Sequence, residues 1–197
     1  HVEIILPPLA PAHAEELISH LLTLSDLAAE SRHVILLKAE GNPFFVEEVI
    51  RDLIDAGILV REGNRWHAAR PITDLDVPDS VQGVLLARID RLPEEARRVL
   101  QAASVVGRLF PLDILRQILH QNGQVDAALV DLQRLDLIVE RRRIPQAEYR
   151  FKHALTQEVA YSTLVAGERR RLHRQVARAL EEQYEGRLEE AYGLLAH

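Results

Sequence analysis

Between residues 44 and 55, apolar side chains recur three and four positions apart. Phe45, Val49 and Leu53 form one row, and Val46, Ile50 and Ile54 the next. Glu47, Glu48, Arg51, Asp52 and Asp55 take the opposite face. Only an α-helix gathers residues with that spacing into a stripe. Gly57 follows where a C-cap glycine ends such a helix. The same spacing predicts helices over 11–24 (Leu17, Ile18, Leu21 and Leu22 on one stripe), 31–37, 80–92 (Val84, Leu85, Ile89 and Leu92 inward) and 93–107. It predicts further helices over 111–119, 124–135, 154–164 and 168–183, with a last piece starting near Leu188. Gly41-Asn42-Pro43 stops the helix before it, and Pro93 with Glu94 and Glu95 suits a first helical turn.

Strand character is confined to short stretches. Residues 2–6 alternate weakly. Residues 58–60 and 65–68, around Gly63-Asn64, read as a hairpin, as do 137–142 and 149–153 around Pro145. The stretch 70–79, with Pro71 and Pro78, reads as a linker. The expected fold is therefore mainly α, with a small β-hairpin in its first half. From 93 to 165 the order is three helices, strand, turn, strand, helix, which is the order of a winged helix.

Composition narrows the function classes. A chain of 197 residues, 47% hydrophobic and 27% charged, makes one large domain or two small ones. It has no cysteine, which excludes disulfides, thiolate metal sites and cysteine nucleophiles. No apolar run exceeds a few residues, such as Val34 to Leu37, against the roughly 20 a membrane helix needs, so no membrane partner is expected. No basic n-region or cleavage site marks a signal peptide. A sequence with no methionine anywhere reads as a segment of a longer protein.

Charge is uneven. Residues 1–60 hold three basic and ten acidic side chains, whereas 141–178 hold ten basic and three acidic. Such a basic block suits a phosphate, a nucleic acid or an acidic surface, or else pairs with the chain's own carboxylates. As a DNA reader the helix at 124–135 is poor, with Asp126 and Asp131 against Arg134. DNA is therefore not an expected partner. Any binding is expected to be salt-dependent and to come from Arg141–Arg143 and Arg169–Arg171.

Catalytic motifs are missing. A P-loop needs a lysine after a glycine to cradle phosphates, and the two lysines, Lys38 and Lys152, follow leucine and phenylalanine. No acidic pair ends an apolar run to hold magnesium, and neither His-Glu-x-x-His nor Gly-x-Ser-x-Gly occurs. His13 and His20 have no third ligand nearby. The segment by itself is not expected to be an enzyme or to hold a metal or cofactor.

Three stretches taken in order carry a family likeness. They are Gly41-Asn42-Pro43-Phe44-Phe45-Val46-Glu47-Glu48-Val49, then Val77-Pro78-Asp79-Ser80-Val81 with Arg88-Ile89-Asp90-Arg91-Leu92, then Phe151-Lys152-His153-Ala154-Leu155-Thr156-Gln157-Glu158-Val159-Ala160-Tyr161. Together they resemble the C-terminal half of the ATPase module of STAND proteins, signal-transduction ATPases related to the NB-ARC proteins. The likeness is to the bacterial branch found in adenylate cyclase-ATPase-TPR proteins and LuxR-type transcription regulators.

The resemblance implies a helical lid over 1–92, whose first residues leave a P-loop core outside this sequence. It further implies a winged helix over 93–165, and a linker helix leading into TPR-like helices over 166–197. It implies a cytoplasmic protein whose lid and winged helix close over ADP or ATP with magnesium in the parent chain. Its partners would be the P-loop core and the TPR and output domains of the same chain, with self-oligomerisation on activation. Gly41 and Pro43 match the family's lid motif, in which the proline packs on adenine. His153 matches the winged-helix histidine that reaches the ADP β-phosphate, although Ala154 stands where the NB-ARC motif has Asp. Gln157, Glu158 and Tyr161 belong to the family pattern and read as helix packing.

Overall fold

The computed structural model describes residues 7–22, 27–119, 122–144 and 146–183. The expected strand at 2–6, the turn at Pro145 and the helix near Leu188 lie outside them. The fold is mainly α, with two small antiparallel sheets. The chain divides into two compact units, His1–Arg88 and Ile89–His197. That division falls inside a helix, four residues before the expected boundary at 92/93.

The first unit begins with α1 (Pro11–Leu21) and α2 (Ala29–Ala39), both packed on α3 (Pro43–Asp55). Ile18, Leu22, Ile35, Val46, Ile50 and Leu53 form its core. α2 is longer than the predicted 31–37. Glu40 and Gly41, both with positive φ (48° and 74°), end it. Asn42 then caps α3, its Oδ1 accepting from the Phe44 and Phe45 amides at 3.1 and 3.3 Å, with Pro43 at the first helical position. β1 (Leu59–Glu62) and β2 (Arg65–Ala68) form the expected hairpin around Gly63-Asn64, with Gly63 at φ 60°.

The stretch 70–79 is not a loose linker. It buries Ile72 and Val77 and winds into a short 3-10 helix (Asp74–Asp76). Lys38 Nζ donates to the carbonyl oxygens of Asp74 and Val77, each at 2.6 Å, and pairs with Asp79 at 3.0 Å. Arg70 grips both oxygens of Asp76, which also accepts from the Thr73 amide and hydroxyl, each at 2.8 Å. Proline-rich polar composition hid this, because two long basic side chains supply the anchoring.

The Arg70 hydrogen bond, then those from Thr73, hold the Asp76 carboxyl well below the usual carboxylate range. A depressed folded-state pKa stabilises the fold above the unfolded value, about 3.9, and that stabilisation fades as the pH falls below it. Asp76→Asn is expected to cost about 1 kcal/mol at neutral pH, discounted because Arg70 is half-exposed, and to flatten the acid limb below about pH 4. Urea unfolding followed at pH 7 and pH 3 checks both effects; equal losses at the two pH values would contradict the assignment.

α4 (Val81–Asp90) buries Val84, Leu85 and Ile89 as expected, and crosses from the first unit into the second. In the second unit Arg97 donates to the carbonyls of Ile89 and Leu92, each at 3.2 Å, and to that of Asp90, closing the end of α4. α5 (Glu94–Val106) has Pro93 as its N-cap, one place before the expected first turn, and stops at Gly107, φ 140°. Next come β3 (Leu109–Pro111), α6 (Leu112–Leu119), α7 (Asn122–Arg134), β4 (Ile138–Arg142) and β5 (Glu148–Phe151). The sheet order is β3-β5-β4, antiparallel throughout.

Helix, strand, two helices and a two-stranded wing make this a winged helix. Phe110 of β3 meets Phe151 of β5 with ring centroids 5.4 Å apart, both fully buried. The sequence reading lacked β3. Three residues are too few to show a period, and the strand exists because β5, some forty residues later, pairs with it. α8 (Ala154–Ser162) and α9 (Ala166–Gln183) complete the unit, and α9 packs on α5 and α6.

Candidate functional site

The residues singled out by the sequence fall in two places, one in each unit. In the first unit, Gly41 turns the chain from α2 into α3. A Cβ at this position would lie 2.5 Å from the Leu9 carbonyl oxygen and 3.0 Å from the Leu9 nitrogen. The Leu9 amide donates to the Gly41 carbonyl at 2.8 Å. The close approach that glycine permits is therefore made to the chain's own segment at Pro8 and Leu9. Pro43 stands beside this turn with its ring exposed at the start of α3.

α3 departs from the expected two-faced helix. Glu48 and Asp52, assigned to its solvent face, are 2% and 3% exposed. Arg88 of α4, 4% exposed, joins Glu48 in an ion pair and donates through Nε to Asp55 at 3.0 Å. α3 is thus covered on its acidic side as well, and the cover is an arginine whose charge two carboxylates balance. The spacing of Glu48 and Asp55, seven apart and two helical turns, placed both on one face of α3. Nothing in the sequence tied that face to Arg88, forty residues on.

In the second unit, His153 follows β5 and is the N-cap of α8, with extended backbone (φ −123°, ψ 144°). Its ring makes no cap hydrogen bond to the first amides of α8 and is half-buried. β5 ends at Phe151, so His153 belongs to the helix start and not to the expected strand. Lys152, beside it, pairs with Asp136, a left-handed residue (φ 61°) between α7 and β4.

Gln157 and Tyr161 act in packing, as expected. Gln157 Nε2 donates to the Ser104 carbonyl of α5 at 3.1 Å. Tyr161 lies 2.9 Å from His173 Nε2 and carries the Arg169 guanidinium 4.4 Å above its ring.

Two hollows stand out, one in each unit. One of about 390 Å³ is bordered by Gly107, Gln157, Tyr161, His173 and Leu180. The other, about 720 Å³, is bordered by Glu15, Leu27, Arg32 and His33. Gly41, Pro43 and His153 line neither. Among the described residues no three His, Asp or Glu side chains come together as metal ligands would, and His13 and His20 share α1 without a third.

On α7, Asp126 pairs with Arg116 at 2.8 Å and Asp131 with Arg134 at 3.3 Å, leaving Ala127 and Val130 exposed between them. On the wing, Arg141 pairs with Glu148 at 3.2 Å and Arg143 with Glu140 at 2.8 Å. The Arg143 guanidinium holds the Glu140 carboxyl below its ordinary range. Of the ten cations in the basic block, Arg141, Arg143, Lys152 and Arg171 thus pair with carboxylates among the described residues.

Residues 12–64 match a family described as a domain of unknown function (DUF8739). No curated protein matches the chain. No helix among the described residues is long and apolar enough to cross a membrane.

Proposed function

We propose that the chain is a non-catalytic regulatory segment of a cytoplasmic STAND-type signal-transduction ATPase. Its first unit serves as the lid and its second as the winged helix. The two close over ADP or ATP, with magnesium, on a P-loop core elsewhere in the parent chain, and the nucleotide state is relayed to an output domain. The observation that carries this reading is the order helix, strand, two helices, wing in the second unit, followed at once by a helix whose N-cap is His153. An imidazole at a helix N-cap, where the first amides have no acceptor within the helix, suits an anionic phosphate. Support from the first unit is the exposed Pro43 ring on a turn held rigid by the Asn42 cap and the Leu9 hydrogen bond.

In the parent protein, His153→Ala is expected to weaken ADP binding about ten-fold to a hundred-fold, the worth of one charge-assisted hydrogen bond, and to raise basal output. ADP dissociation and melting temperature measured on the same variant decide it. Unchanged ADP release with a lowered melting point would reduce His153 to packing. The 197-residue chain alone is expected to show no calorimetric response to ADP or ATP, since it lacks the phosphate cradle; micromolar binding by it would overturn the reading.

A second reading, a protein-interaction scaffold, is favoured by α7. Where a DNA-reading helix would show cations, it shows Ala127 and Val130 between ion-paired aspartates.

A further inference from the structure

α9 carries five arginines, and the structure divides them. Arg169 folds back over Tyr161 and donates to the Leu164 carbonyl at 3.1 Å, closing the end of α8. Arg171 pairs with Glu168 and donates to Gln175 at 3.2 Å. Arg170, Arg174 and Arg178 are exposed, and among the described residues they make no hydrogen bond or ion pair. They stand four residues apart, about 6 Å along the helix, in one row. The opposite face, Leu172, Val176, Ala179 and Leu180, is buried in the second unit, so the row is held on a rigid element.

This arrangement costs helix stability. Like charges at i and i+4 each oppose the helix by about 0.2–0.5 kcal/mol. Cations near a helix N-terminus also meet the positive end of its dipole. Elsewhere in the unit Arg116, Arg134, Arg141 and Arg143 pair with carboxylates, and the exposed arginines that do not, Arg108, Arg142 and Arg150, do not stand in a helical row. Three guanidinium groups in a row, with no carboxylate partner among the described residues, make a site for an anion.

We propose that the Arg170–Arg174–Arg178 face of α9 binds the phosphate backbone of a nucleic acid, without reading bases. The guanidinium fork matches phosphate oxygens in pairs, and a one-turn repeat is comparable with the separation of successive phosphates along a strand. A lipid surface fits less well. Interfacial helices insert their apolar face, and that face of α9 is already buried. The paired aspartates on α7 are the reason sequence preference is absent. Of the expected contacts Arg141–Arg143 and Arg169–Arg171, Arg141, Arg143, Arg169 and Arg171 are engaged internally; the proposed face keeps Arg170 and adds Arg174 and Arg178.

The test is fluorescence polarisation of a labelled 30-base-pair duplex with the 197-residue chain between 50 and 200 mM KCl. Parallel arms use poly(U), poly-glutamate and phosphatidylserine vesicles. Binding is expected to be independent of duplex sequence. Arg170→Gln/Arg174→Gln/Arg178→Gln is expected to reduce the slope of log affinity against log salt by about 2.7, so that about 40-fold of the salt effect between those concentrations disappears.

Glutamine is a good helix former, and loss of the like-charge repulsion is expected to leave the melting temperature unchanged or higher. Should the triple variant misfold, Arg174→Gln alone is expected to remove about 0.9 of the slope. Absence of duplex and poly(U) binding at 50 mM KCl, or an unchanged slope in the variant, would overturn the proposal. Preference for poly-glutamate or vesicles would overturn its choice of partner.

Discussion

Replacing Arg88 with alanine is expected to destabilise the first unit by about 3–5 kcal/mol, because Glu48 is then left charged and buried. Glu48 is 2% exposed, and its remaining cation, Arg51, stands 4.0 Å away. Asp55 is a quarter exposed and therefore open to solvent, so the loss is concentrated on one carboxylate.

The chain's single tryptophan, Trp66, lies on β2 against the core of this unit, so its fluorescence reports the unit's unfolding. The Trp66 transition is expected to fall by more than about 12 °C, at roughly 4–8 °C per kcal/mol for a unit of this size. Glu48→Leu/Arg88→Met is expected to recover most of that loss, because a buried ion pair replaced by apolar groups of similar volume is often neutral. A loss under about 1 kcal/mol in Arg88→Ala would show that water reaches Glu48 and that the pair is not a buried one.

Gly41→Ala is expected to cost about 2–3 kcal/mol in the absence of any nucleotide. Holding an L-residue at φ 74° costs roughly 1–2 kcal/mol. The new methyl also meets the Leu9 carbonyl oxygen at 2.5 Å, which is backbone and has to move. Moving it weakens the Leu9–Gly41 hydrogen bond, worth about another 1 kcal/mol. Thermal unfolding followed at Trp66 measures the loss, and limited proteolysis at residues 7–10 shows whether that segment detaches. An unchanged transition would mean that the segment yields freely. The close packing of Leu9 would then not be the reason for glycine here. Pro43→Ala is the contrasting variant, since the ring is exposed at an already capped helix start.

Much of the architecture was legible in one dimension. α3, α5 and the hairpin at Gly63-Asn64 follow from a spacing, a stop and a turn, all set by residues within a few positions of each other. The helices and the wing of the second unit were visible for the same reason, whereas the packing reading of Gln157 and Tyr161 came with the family resemblance. Short-range chemistry also placed Asn42 and Pro43 at a helix start and His153 beside one. What the sequence left open depends on partners far along the chain. β3 exists only against β5, and the strap at 70–79 is ordered by Lys38.

Glu48 and Asp52 read as solvated because periodicity describes one helix at a time. Glu48 is buried because α4 brings Arg88 to the other side of α3. At Gly41 it was tertiary structure that decided what the missing side chain makes room for, the backbone of Leu9. The basic block was plain in composition. Which of its arginines are already neutralised was settled by the fold, since a guanidinium reaches across several ångströms to carboxylates that sequence distance does not reveal.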